Sequence, residues 1–195
     1  MDEFYMYIRL GLEHILDLNG YDHILFVLAL CAIYVAADWK KILILVTAFT
    51  VGHSLTLALA TFQVFRVDTD LIEMLIPATI FITAISNIFR SRSTSKSPYL
   101  GNNYLLALFF GLIHGMGFSN YLRALLGRDG SIIKQLFAFN LGLEVGQIII
   151  VGIFILLSFI LITVLGVRQR DWNLVTSSAI AGVALMLFAQ SNYWN

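Results

Sequence analysis

The chain holds four histidines, His14, His23, His53 and His114, and each lies in or beside an apolar run. Their neighbours are polar or small, as in EHILDLNGYDH, FTVGHSLT and GLIHGMGFS. Carboxylates and amides occupy similar settings, with Glu13 and Asp22 beside the first two histidines, Glu73 in EMLIP, and Asn140, Glu144 and Gln147 in FNLGLEVGQ. Neutral imidazole is the commonest protein ligand for divalent transition metals, and a nitrogen and oxygen donor set suits nickel, cobalt, zinc or copper(II) rather than copper(I). Nearby carboxylates can join as ligands or fix the imidazole tautomers from behind. Such groups bind a cation in their deprotonated forms, so capture of the metal would release protons. The expected metal ligands are His14, Asp22, His23, His53, His114 and Glu144, supported by Glu13, Glu73, Asn140 and Gln147.

Spacing argues that these groups converge. Asn140, Glu144 and Gln147 stand at i, i+4 and i+7, and Thr50, His53 and Ser54 at i, i+3 and i+4, so each set shares one helix face. Thr79, Thr83, Ser86 and Asn87 add a third polar stripe. Glycines at 111, 115 and 117 around His114, and at 142 and 146 around Glu144, allow backbones to approach closely. One polar centre is expected. Each residue also has a plainer role: Asp22 as a helix cap, His53 as an interhelical hydrogen-bond donor, Glu73 at the membrane surface, and Asn140 and Gln147 as helix-to-helix partners.

The elements that must position them follow from composition. Hydrophobic residues make up 59% of the 195 and charged residues 12%, against roughly 45–50% and about 25% in soluble domains. Mean hydropathy is +0.84. Twelve Lys+Arg balance twelve Asp+Glu, which leaves no basic field for nucleic acid. Cys31 is the single cysteine and sits in an apolar run, so neither a disulfide nor a thiolate zinc site can form within one chain. The class this implies is an all-α integral membrane protein, a single transmembrane domain over 1–195 with surrounding lipid as its partner.

Since a spanning helix takes about 20 apolar residues, six runs qualify: 22–37, 41–64, 71–89, 102–125, 135–163 and 173–190. The acidic start is not that of a cleavable signal peptide. Residues 1–20 read as a short amphipathic helix, either lying at the interface or tucked into the bundle with Glu13 and His14 inward, and ended by the Asn19–Asp22 turn. The polar linker at 90–99 separates two groups of three spans, between which no convincing repeat is seen. Lys40, Lys41, Arg90, Arg92, Lys96, Arg168 and Arg170 outnumber the basic residues on the other side, Arg9, Arg66, Arg123, Arg128 and Lys134. That bias places both termini outside the cytoplasm.

The succession GLEHILDLNGYDHILFVLAL, TAFTVGHSLTLALA, EMLIPATI, FGLIHGMGFS and FNLGLEVGQ resembles the HupE/UreJ family of bacterial membrane proteins, in order from about residue 11 to residue 150. The resemblance implies a permease of the bacterial inner membrane associated with nickel, with Glu13, His14, Asp22, His23, His53, His114 and Glu144 at the family's polar motif positions. It departs from the best-known nickel permease signature, in which a histidine and a DH pair lie close together on one helix. Here His14 and His23 are nine positions apart across a glycine turn.

Three functions therefore compete. The first is a permease or binding protein for a divalent ion, nickel before cobalt or zinc. The second is an intramembrane zinc hydrolase, with Glu13, Asp22 or Glu144 as base, or with Ser54 or Ser119 as a nucleophile. The third is a structural or assembly subunit whose polar stripes join helices. A homo-oligomer is compatible with all three.

Overall fold

A computed structural model describes residues 3–18, 20–64, 68–89, 100–119, 121–122, 132–191 and 193. The expected polar linker at 90–99 lies outside them. The described residues form seven α-helices and no strand, as expected of an all-α membrane protein. They are α1 (Glu3–Ile15), α2 (Asp22–Cys31), α3 (Trp39–Thr61), α4 (Thr69–Phe89), α5 (Leu100–Gly117), α6 (Ile132–Phe159) and α7 (Gln169–Gln190). A 3₁₀ turn at Ala36–Asp38 leads into α3, and a π turn at Ile160–Val164 closes α6. Helices α3, α4, α6 and α7 are long and apolar enough to cross a membrane. They turn Ile44, Val51, Ile148, Ile153 and Leu185 outward and pack Phe49, Ile80, Phe139 and Ala184 inward. Apolar side chains on the outer as well as the inner face suit a hydrocarbon solvent.

The first crossing differs from the expected one. The run at 22–37 is α-helical only from Asp22 to Cys31, ten residues or roughly 15 Å, too short to span about 30 Å of hydrocarbon. Its other half is the N-terminal segment. Glu3 hydrogen-bonds Gln135, Ile8 lies against Gly142 and Ile15 against Gly146, so α1 runs parallel to α6, packed into the bundle. Helix α2 then continues the same way. At its start His23 lies beside His14; near its end the Ala29 carbonyl accepts from Asn87 at the close of α4, and the Ile33 carbonyl accepts from Gln169 at the start of α7. Thus α1 and α2 are two halves of one pass, with a break around the expected glycine turn. Of the helices that follow, α3, α4, α6 and α7 are the long apolar ones and α5 is a shorter apolar helix.

Two close crossings tie the passes together. A Cβ on Gly11 would run into the Phe139 carbonyl oxygen, and one on Gly142 into that of Ile8, where α1 meets α6. Where α3 meets α5, Gly52 faces the Leu108 carbonyl and Gly111 that of Phe49. In all four cases the glycine meets the residue three places before its partner glycine. The sequence carries the same echo: Gly-Leu-X-His opens at Gly11 and again at Gly111, and Ala-Phe-X-X-Gly ends at Gly52 and again at Gly142. Because α1 and α6 begin at one end of the bundle and α3 and α5 at the other, the two groups of helices are inverted repeats. Helices α4 and α7 complete the relation by packing on each other. The repeat is invisible to hydropathy because only short glycine motifs survive in it.

Candidate metal centre

The break in the first pass is where the imidazoles meet. His14 ends α1 and His23 begins α2; nine residues apart in sequence, their rings lie 4.7 Å apart between centroids. His53 approaches from α3, with its ring 6.1 Å from His14 and 5.6 Å from His23. One ring nitrogen from each of His14, His23 and His53 lies within 4.8 Å of the others. A tetrahedral ion bound at about 2.0–2.1 Å from each nitrogen needs donors about 3.3 Å apart, so closure by roughly 1.5 Å at most completes the set. His114 flanks it from α5, 5.3 Å from the His23 ring.

Hydrogen bonding leaves these rings open towards one another. His53 is 1% exposed and neither of its ring nitrogens has a partner among the described residues. The Nε2 atoms of His14 and His23 and the Nδ1 of His114 are likewise buried without one. A buried polar atom left so costs about 1–3 kcal/mol, and a set of them facing one point is the donor pattern a cation would satisfy. Two tautomers are set from behind. The Asp22 carboxylate accepts both the His23 backbone N–H at 2.9 Å and its ring Nδ1–H at 3.1 Å, leaving Nε2 with a free lone pair. Thr79 gives its one hydroxyl proton to the Ile76 carbonyl, so it accepts from His114 Nε2 at 3.1 Å and leaves Nδ1 with the lone pair.

Aromatic rings wall the centre. Phe118 lies 3.9 Å from the His14 ring and stacks on Phe139, while Phe26 and Phe49 lie 4.9 and 5.2 Å from His114. None of these phenylalanines stands out in the sequence, where an aromatic in an apolar run reads as core. The helix ends add a field. His14 and His114 both sit in last turns, of α1 and α5, so two carboxyl-terminal poles of roughly half a negative charge each approach the same point from opposite ends of the bundle.

A family model described as HupE / UreJ protein matches residues 1–194. The chain belongs to the HupE/UreJ family. No curated protein and no solved structure matches it.

In this HupE/UreJ chain the remaining candidate residues stand apart from the imidazoles. Glu13 turns outward and pairs with Arg9 at 2.6 Å, contrary to the inward orientation considered for it. Glu73 is exposed near the start of α4. Glu144 accepts from Thr47 at 2.8 Å, Asn140 accepts from Ser54, and Gln147 accepts from Thr50, so this stripe joins α6 to α3. Thr47, one turn before Thr50 on the same face, is the residue that sequence reasoning missed. The hydroxyls of Ser54 and Ser119 donate to Asn140 and to the Met116 carbonyl, and neither bonds an imidazole.

Proposed function

We propose that this chain is a permease for a divalent transition metal, nickel before cobalt or zinc, in the bacterial inner membrane with both termini outside the cytoplasm. The observation that carries the reading is the set of buried, unpartnered nitrogens on His14, His23 and His53, gathered at a break in one pass through the bundle. Discontinuous helices meeting at mid-depth are a recurrent way to hold a transported ion in a place reachable from either side. In this reading the three imidazoles strip the ion of water and hold it between two negative helix ends. Asp22 strengthens His23 as a donor, and His114 receives the ion next. Nickel is preferred on family grounds, since imidazole donors also suit cobalt and zinc.

Three histidines around an open position would also serve a hydrolytic zinc. That reading lacks a base: Glu13 is held by Arg9, Glu144 by Thr47, and Asp22 by His23. Transport asks only for capture and release, which the donor set supports.

The test combines elemental analysis of protein purified without a histidine tag with uptake of Ni²⁺, Co²⁺ and Zn²⁺ into proteoliposomes. Wild-type protein is expected to bind a stoichiometric ion and to move it, and His53→Ala to lose both. Wild-type uptake in His53→Ala, with bound metal unchanged, would overturn the assignment.

A further inference from the structure

The polar stripe on α4 starts at the metal centre, where Thr79 holds His114, and runs on beyond it. Thr79 bonds His114, Thr83 donates to the Thr79 carbonyl one turn on, and Ser86 and Asn87 follow on the same face. From Thr79 to Ser86 the helix rises roughly 10 Å towards the end of the bundle where α3 and α5 begin. The stripe opens there into a cavity of about 80 Å³ lined on its polar side by Tyr34, Thr83, Ser86, Asn87 and Asn103. At about 10–15 Å³ for each water centre, several waters fit. These polar side chains give water its hydrogen-bonding partners, beside Leu30, Leu45, Leu106 and Phe110 on the apolar part of the lining. Phe110 lines the cavity; Phe26 lies 5.9 Å from it and 4.8 Å from Phe49, and Phe26 and Phe49 both lie against His114, all three phenylalanines being buried.

We propose that this cavity is a hydrated vestibule for the ion on the side away from the chain termini, closed from the metal centre by the Phe26, Phe49 and Phe110 rings and connected to it by the Thr79 and Thr83 hydroxyls. The inference rests on the transport reading and adds its far-side route. Hydroxyl and amide oxygens bind a divalent transition ion more weakly than imidazole does, which suits a passage where the ion must leave. The rings block water in the closed state, and their displacement is the step that releases the ion.

The experiment places single cysteines in a Cys31→Ala background at Thr83 and Ser86, with Leu105→Cys on the exposed side of α5 as control. Proteoliposomes are treated with a charged, membrane-impermeant methanethiosulfonate, modification is read by mass spectrometry, and uptake of Ni²⁺ is followed alongside Ni²⁺ bound to the solubilised protein. Modification of Thr83→Cys or Ser86→Cys is expected to slow uptake at least about tenfold while bound Ni²⁺ stays unchanged, and Leu105→Cys to keep its full rate. Two results overturn the vestibule and leave the metal centre standing: full uptake after complete modification at both positions, or resistance of both cysteines to the reagent while wild-type uptake persists. Wild-type protein that binds Ni²⁺ and never moves it overturns the transport reading and the vestibule with it.

Discussion

The crossing of α1 with α6 and the crossing of α3 with α5 share one backbone and differ in chemistry. In each, two glycines face each other's helix at the same register, so the main chains touch where a methyl group would not fit. At equivalent places the side chains diverge. Glu13-His14 on α1 stands where α5 has Ile113-His114, and His53-Ser54 on α3 stands where α6 has Leu143-Glu144. The repeated part brings two helix ends from opposite sides to one point. The unequal part puts the three gathered imidazoles in one half, since His14, His23 and His53 all come from the first group of helices. A symmetric scaffold with lopsided ligands can bind an ion firmly in one place and still exchange the shapes of its halves.

The hardest way to break this comparison is to forbid the close approach itself. Gly52→Ala drives a methyl into the Leu108 carbonyl and Gly142→Ala drives one into that of Ile8. Neither obstacle is a flexible side chain, so each substitution is expected to cost about 3 kcal/mol or more, at or above the top of the usual overpacking range. Gly152→Ala and Gly182→Ala meet nothing within 4 Å and serve as controls. Thermal unfolding in detergent should show a large and comparable fall for Gly52→Ala and Gly142→Ala. A fall at one crossing alone would show that the halves bear load unequally.

A smaller effect is expected where the halves have no common residue. Asp22 has its carboxylate on the Nδ1 side of His23, across the ring from the unpartnered Nε2. Removing a carboxylate from behind a ligating imidazole typically costs 10–100-fold in affinity, so Asp22→Asn should weaken Ni²⁺ binding by about that factor. Its unfolding temperature should stay close to wild type, because the carboxylate is partly exposed and, among the described residues, bonds only the adjacent one. An unchanged affinity in titration calorimetry would mean that His23 is not a ligand.

How much of this was legible in the residues depends on range. Six apolar runs, the break at the glycine turn and the gathering of histidines follow from hydropathy and from the rarity of ionisable groups in such runs. The first pass is expected at 22–37 alone because α1 is short and carries Arg9 and Glu13, with Asp17 just past its end, which leaves interface and bundle both open; the charges sit on the exposed side while Tyr7, Gly11 and Ile15 pack inward. Glu144 looked like a ligand because it sits at helical spacing between two amides. Spacing within one helix shows a shared face and says nothing of which neighbour that face meets, and here the neighbour is Thr47. The inverted repeat escaped for a similar reason, since its surviving signal is four glycines and two histidines.

The finest distinction lies between the counterpart histidines. His14 is oriented by the Phe118 ring, whereas His114 is held by the Thr79 hydroxyl. Thr79→Val keeps the shape and removes the acceptor, which frees His114 to turn or change tautomer at the cost of one hydrogen bond, about 0.5–1.5 kcal/mol. If His114 only flanks the three-histidine set, Ni²⁺ affinity should fall by no more than about tenfold, and Thr79→Ser should restore it because the hydroxyl returns. A loss as complete as that of His53→Ala would instead place His114 among the primary ligands. The centre would then draw on both halves of the repeat, and the asymmetry between them would lie in Asp22, His23 and His53, which stands where the other half has Leu143.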